Sequence, residues 1–151
     1  MRRGFQVFVS GLVLAGLTLA GAGVASAQEP AKEPAKPVLT LDGEAAIIIL
    51  LIKPDKTADF ETVIAKYKEA FAKSDNAKRK EQLAGLTILK AQTPIGGNAA
   101  YIFRVDPVLK GEEYDITRII LEVFPSEATD MYNKYKDAFA GRQIIPLTKL
   151  P

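Results

Sequence analysis

The feature that most constrains this chain is an apolar run at residues 45–52, AAIIILLI, bounded by Asp42-Gly43 and Pro54-Asp55. These turn residues delimit one element, and β-branched isoleucine favours a strand. The run is too short to cross a bilayer as a helix, which takes about 20 apolar residues. A strand with one wet face alternates apolar and polar residues, and this run has no polar position. We therefore expect both of its faces to be buried.

The N-terminus has the pattern of a secretory signal peptide. Arg2 and Arg3 precede an uncharged stretch at 5–24, and the small residues 25–27 (ASA) form a cleavage site. We predict that residues 1–27 are removed by the general secretory route and that the protein is exported, to the periplasm or the extracellular space. Retention as a membrane anchor and export by the twin-arginine route are the alternatives.

Residues 28–43 are predicted to form a Pro-, Lys- and Glu-rich tether, because proline recurs there too often for a helix or a sheet. Residues 44–151 are predicted to form one domain. The chain has 20 Lys and Arg against 18 Asp and Glu, and removing 1–27 takes away Arg2 and Arg3 and no acid. The mature chain is then formally neutral, so we expect no nucleic-acid partner and no membrane association after cleavage.

The spacing of apolar residues predicts the elements of this domain. They are a helix at 57–73, strands at 85–92 and 99–105, two short helices capped by Asp115 and Ser126, and a strand at 143–150. Pro125 separates the two short helices, and Gly141 is expected to end the second one. The last strand should lie at a sheet edge, because Pro146 cannot donate to a ladder.

The predicted fold class is α+β, a ferredoxin-like β-α-β-β-α-β order with an antiparallel sheet and a broken second helix. Helices on one face of the sheet leave the other face bare, and the run at 45–52 makes that face apolar. Two such sheets packed back to back around a two-fold axis would bury it. We therefore predict a homodimer that forms through the first-strand face.

This order over residues 44–150 resembles the dimeric α/β-barrel superfamily, which includes the antibiotic-biosynthesis-type monooxygenases. The stretch YIFRVDPVLKG at 101–111, followed by Phe124-Pro125, also resembles a group of uncharacterised exported bacterial proteins. The first resemblance implies a pocket between sheet and helices, in which monooxygenase-like members often use Asn, Trp and His. This chain has no His or Trp, and the turn position of Asn98 explains it without catalysis.

The composition excludes several kinds of site. Without His or Cys there is no histidine base, thiolate nucleophile or ordinary nitrogen or sulfur site for a metal or haem, so we expect no metal and no cofactor. Carboxylates at Glu112, Glu113 and Asp115 match no known calcium loop and are interpreted as a solvated turn. The charge run Lys78-Arg79-Lys80 is interpreted as a solvated face.

The candidate ligand-binding residues surround the third strand: Tyr101, Arg104, Asp106 and Tyr114. Arg104 could clamp a carboxylate through its guanidinium, or it could pair with Asp106 or extend to solvent. Tyr101 could instead be a core aromatic whose hydroxyl is satisfied. No catalytic residue is assigned.

The function predicted from the sequence is that of an exported, homodimeric binding or structural module without catalysis. The alternative is a cofactor-independent monooxygenase or isomerase that acts on a small apolar substrate in the sheet–helix pocket. A closed apolar cavity would favour the first hypothesis, and an open cavity with converging Tyr and Arg side chains would favour the second.

Overall fold

The structure, a computed structural model, describes residues 36–151. The predicted signal peptide and residues 28–35 of the predicted tether lie outside the described residues. The elements are β1 (Ala45–Ile52), α1 (Thr57–Lys73), α2 (Ala77–Gly85), β2 (Leu86–Lys90), β3 (Ala99–Val105), α3 (Ile116–Val123), α4 (Ala128–Ala138) and β4 (Phe139–Leu147). None of the helices within residues 36–151 has the length and apolar character needed to cross a membrane.

The four strands form one antiparallel sheet in the order β2-β3-β1-β4. This confirms the prediction of an α+β domain with an antiparallel sheet. β1 lies between β3 and β4, so both of its edges form hydrogen bonds with neighbouring strands. This central position is what an uninterrupted apolar run predicts. β4 lies at an edge, which is where Pro146 was predicted to place the last strand.

Alternate residues of β1 point to opposite faces of the sheet. The face toward the helices, at most 5% exposed, carries Ala46, Ile48, Leu50 and Ile52. The opposite face carries the half-buried Ile47, Ile49 and Leu51. One chain therefore fully buries only one of the two faces that the sequence predicts to be buried.

Helices α1 and α3 cover the inner face of the sheet as their apolar spacing predicts. The buried residues of α1 are Phe60, Val63, Tyr67, Ala70 and Phe71, and the ring of Phe60 meets that of Tyr101 edge-on at 4.8 Å. Helix α3 begins where Asp115 accepts hydrogen bonds from the backbone N–H groups of Thr117 and Arg118, each at 3.0 Å. The predicted cap at Asp115 is thus confirmed.

The chain between α1 and β2 differs from the prediction at Gly85. This glycine ends α2 instead of beginning the second strand. A Cβ at this position would lie 3.0 Å from the carbonyl oxygen of Asp106. The glycine therefore allows the backbone to pass close to the end of β3, which apolar alternation alone does not reveal.

The end of the chain also differs from the prediction. Helix α4 begins at Ala128, preceded by Glu127 and not by Ser126, and Gly141 lies within β4 instead of ending the helix. β4 starts at Phe139 because it pairs along the whole of β1, with a bulge between Leu51 and Ile52. Pairing along the full length of a central strand outweighs the local preference of glycine for a helix end.

Residues 38–43, the last part of the predicted tether, pack against the domain. Leu41 is only 1% exposed. The backbone N–H groups of Val38 and Leu39 donate to the carboxylate of Glu113 at 2.6 and 2.9 Å, and the carbonyl of Leu39 accepts from the N–H of Tyr114 at 2.8 Å. Glu113 is therefore a buried anchor for this segment, and the prediction of a solvated turn is wrong at this residue.

Candidate functional site

The four predicted ligand-binding residues do not converge on one site. Tyr101 faces the helices, and Tyr114 is buried with its hydroxyl accepting a hydrogen bond from the N–H of Leu109 at 2.9 Å. Arg104 is exposed on the opposite face of the sheet, where it lies beside Ile47 of β1. The partner of Asp106 is Lys149 at 3.2 Å.

The interior pocket that the enzymatic alternative requires is very small. Its volume is about 20 Å³, which is room for about one water molecule. Tyr114, Tyr135 and Arg142 lie on its wall, so the polar groups of the second hypothesis are present without space for a substrate. Burial raises the pKa of Tyr135 to about 12, and this hydroxyl is therefore a poor base at neutral pH.

A larger space of about 250 Å³, here named the α1–β2 groove, lies between α1 and the edge strand β2. Helix α1 contributes Glu61, Ile64 and Lys68. The sheet contributes Ile88, Leu89, Lys90 and Tyr101. Spacings of three and four residues align the α1 members along one side of the helix. The groove therefore has an apolar floor with charged groups at its two ends.

Glu61, Lys90 and Tyr101 form a cluster at one end of the α1–β2 groove. The Tyr101 hydroxyl and the Lys90 ammonium each donate to Glu61 Oε1 at 2.7 Å. The pKa of the Glu61 carboxyl is lowered, mainly by the hydrogen bond from Lys90 and to a smaller extent by that from Tyr101. Burial raises the pKa of the Tyr101 hydroxyl. At neutral pH this cluster contains a carboxylate, an ammonium and a neutral phenol that already satisfy one another.

The face of the sheet away from the helices, here named the outer face, is an almost continuous apolar surface. Its rows, read across β3, β1 and β4, are Ala100-Leu51-Gly141, Ile102-Ile49-Gln143 and Arg104-Ile47-Ile145. Leu89 of β2 extends the middle row and is 52% exposed. Gln143, Arg104 and Thr87, which is the β2 partner of Arg104, interrupt the apolar side chains and glycine of these rows.

A buried charge network centres on Arg79, which is 6% exposed. Its Nη2 and Nε donate to Glu122 Oε2 at 2.9 and 3.2 Å, and its Nη1 donates to Gln82 at 2.7 Å and to Glu112 at 3.3 Å. The prediction of a solvated face is wrong for Arg79, and that of a solvated turn is wrong for Glu112. Both acids lie far from Arg79 in the sequence, so local spacing gave no signal for this network.

Replacing Arg79 with methionine is expected to lower the free energy of unfolding by about 2 kcal/mol. Breaking a fully buried ion pair costs about 3–5 kcal/mol, and we expect less because the side chains of Glu112 and Glu122 are 27% and 36% exposed. Urea denaturation followed by circular dichroism measures the change. The exposed neighbour Lys80, replaced with methionine as the control, should change stability by less than about 0.5 kcal/mol. Equal losses for both variants would contradict a buried role for Arg79.

Within residues 36–151, no group of three or more acidic side chains is placed to hold a metal ion. No protein-family model matches the chain, and comparisons with curated proteins and with solved structures find no match. The geometry of the α1–β2 groove, the interior pocket and the outer face therefore carries the functional argument.

Proposed function

We propose that this protein is an exported homodimer that acts as a binding or structural module without catalysis. The observation that carries the proposal is the outer face of the sheet, where Ile47, Ile49, Leu51 and Ile102 form one apolar surface. Apolar patches beyond a few hundred Å² are uncommon on soluble monomers. A second copy supplies the same surface, so the interface is self-complementary.

The outer face would supply the centre of a small dimer interface. Four strands spaced about 4.8 Å apart and three rows of alternate residues about 6.8 Å apart span an area of about 400 Å². Two such faces together contribute about 800 Å², which is somewhat below the roughly 1,000 Å² of a specific interface. Side chains that interdigitate across the interface would raise the buried area toward about 1,200 Å².

The segment at 38–43 does not compete for the outer face. Leu39 lines the interior pocket together with Ile48, on the helix side of the sheet. This placement keeps residues 38–43 away from the outer face. The apolar rows of the outer face and the packing of residues 38–43 on the helix side therefore both support the proposed dimer.

The topology supports a ferredoxin-like domain related to the dimeric α/β-barrel superfamily. The strand order β2-β3-β1-β4, with all neighbours antiparallel and helices after β1 and β3, is what a ferredoxin-like domain requires. In this arrangement the helices cover one face only, and the other face is available for a partner. Export is supported by the sequence pattern at 1–27.

Absence of catalysis is supported by the geometry of the polar groups. The interior pocket admits about one water molecule, and the hydroxyls of Tyr101 and Tyr114 are both engaged in hydrogen bonds. The monooxygenase or isomerase alternative would need a substrate-sized cavity at this position. A binding or structural role makes no such demand.

The test of the proposed function is the mass of the protein secreted by cells that express the full sequence. We expect intact-mass spectrometry to give a chain that begins at Gln28, and light scattering coupled to gel filtration to give twice that mass at micromolar concentration. A well-folded monomer at high concentration would refute the dimer. A chain that keeps residues 1–27 in the membrane fraction would refute export as a soluble module.

A further inference from the structure

The α1–β2 groove is open at the sheet edge, and its apolar floor lies between two charged ends. Ile64 and Ile88 are half-buried in its walls. The helical rise of 1.5 Å per residue places Glu61 and Lys68 about 10 Å apart along α1. With a volume of about 250 Å³, the groove is smaller than the pockets that hold drug-sized ligands, which have about 300–1,000 Å³.

The two ends of the groove differ in charge. At one end, the carboxylate of Glu61 is neutralised by the ammonium of Lys90. At the other end, Lys68 is exposed and makes no salt bridge within residues 36–151. The groove therefore has a net charge of one positive unit, located at the end formed by Lys68.

The acids near Lys68 are already engaged by other lysines. Glu69 is shared by Lys66 at 3.0 Å and Lys73 at 2.7 Å. The residue one turn before Lys68 is Ile64, which belongs to the floor of the groove. A positive group at the end of an apolar channel is complementary to an anionic head on an apolar chain.

We infer that the α1–β2 groove binds a medium-chain carboxylate, with its head at Lys68 and its chain along Ile64 and Ile88 toward the ring of Tyr101. This inference rests on the proposed binding role and names the ligand class for it. An extended peptide added to the edge of β2 would be the other kind of occupant. β2 has only five residues and ends in Lys90, and short, lysine-bearing edge strands are protected against such pairing.

The experiment is a titration of the purified, isotope-labelled protein with octanoate, followed by backbone amide chemical shifts. We expect saturable shifts at Ile64, Lys68 and Ile88. The uncharged analogue 1-octanol should bind about two- to fivefold more weakly, which is the effect of one exposed ion pair. Shifts confined to the outer face around Ile49, or no saturable shifts, would overturn the inference.

Three variants separate the contributions of charge and apolar contact. Lys68→Gln should weaken octanoate about two- to fivefold and leave 1-octanol unchanged, whereas Ile64→Gln should weaken both ligands about tenfold. Lys80→Gln removes another exposed lysine, on α2, and should change neither. Equal effects of Lys68→Gln and Lys80→Gln on octanoate would overturn the inference, as would tighter binding of an acidic extended peptide that competes with octanoate.

Failure of this inference is distinguishable from failure of the proposed function. Octanoate binding is measured at the α1–β2 groove, and the dimer is measured by light scattering on the unliganded protein. A dimer that does not bind octanoate refutes the ligand class alone. A monomer that binds octanoate at Lys68 refutes the dimer alone and supports the inference.

Discussion

Replacing Ile48 with alanine is expected to lower the free energy of unfolding by about 2–5 kcal/mol, the usual range for truncating a buried aliphatic side chain. Ile48 is 5% exposed and lies between Phe103 of β3 and Ile144 of β4 on the inner face of the sheet. The helices on this face cannot fully close the cavity that the truncation leaves. Chemical denaturation of the two proteins at equal concentration measures the difference.

The neighbouring residue Ile49 is the matched control for this prediction. Its side chain points to the outer face and is only half-buried within one chain. At a protein concentration low enough to dissociate the proposed dimer, Ile49→Ala should therefore cost less than about 2 kcal/mol. Lys68→Ala, on an exposed side of α1, should change stability by less than about 0.5 kcal/mol. Equal losses at Ile48 and Ile49 would contradict the assignment of the two faces.

The two faces of β1 show what an uninterrupted apolar run can and cannot predict. The sequence indicates a central strand at 45–52, and the strand is observed there. Alternation normally identifies the core face, and this run has no polar residue to mark the other one. The burial of the paired residues shows which side chains face the helices: Phe103 opposite Ile48 is 2% exposed, whereas Ile102 opposite Ile49 is half-buried.

The larger elements were predictable because their apolar residues are regularly spaced over a long stretch of sequence. Four of the buried residues of α1 follow steps of three and four, and the helix is observed over the predicted range. They are Phe60, Val63, Tyr67 and Phe71. The start of β4 was not predictable, because it depends on pairing with β1 and not on local preference. Long-range pairing explains the position of Gly141 in a strand in the same way.

The candidate site was predictable only in part, because its polar contacts join distant segments. Tyr101 was identified from its strand, but its partners Glu61 and Lys90 were not, since they lie on α1 and at the end of β2. Arg79 was missed for the same reason, because Glu122 lies on α3. In contrast, Asp115 bonds within its own turn, and local sequence was sufficient to predict it.

The core and the proposed interface share one strand, and this links stability with assembly. Ile48 and Leu50 pack between the sheet and its helices. The residues that follow each of them, Ile49 and Leu51, point to the outer face. A substitution on the outer face can therefore change assembly while the inner packing is kept. The strongest test of the proposed dimer uses this separation.

Replacing Ile49 with aspartate is expected to convert the proposed dimer to a folded monomer. Ile49 lies in the middle row of the outer face between Ile102 and Gln143, so the dimer would bury an unpaired carboxylate from each subunit. Burying an unpaired charge costs several kcal/mol, and about 4 kcal/mol corresponds to about a thousandfold loss of affinity. Light scattering coupled to gel filtration measures the mass, and circular dichroism verifies the fold.

The control for this substitution is Asn133→Asp, which adds the same charge at an exposed position of α4. This variant should remain a dimer, because α4 lies on the opposite side of the sheet from the proposed interface. If Ile49→Asp also remains a dimer, the subunits associate through another surface, and the outer face then has no part in assembly. If both variants become monomers, added negative charge alone separates the subunits, and the apolar rows around Ile49 do not explain the association.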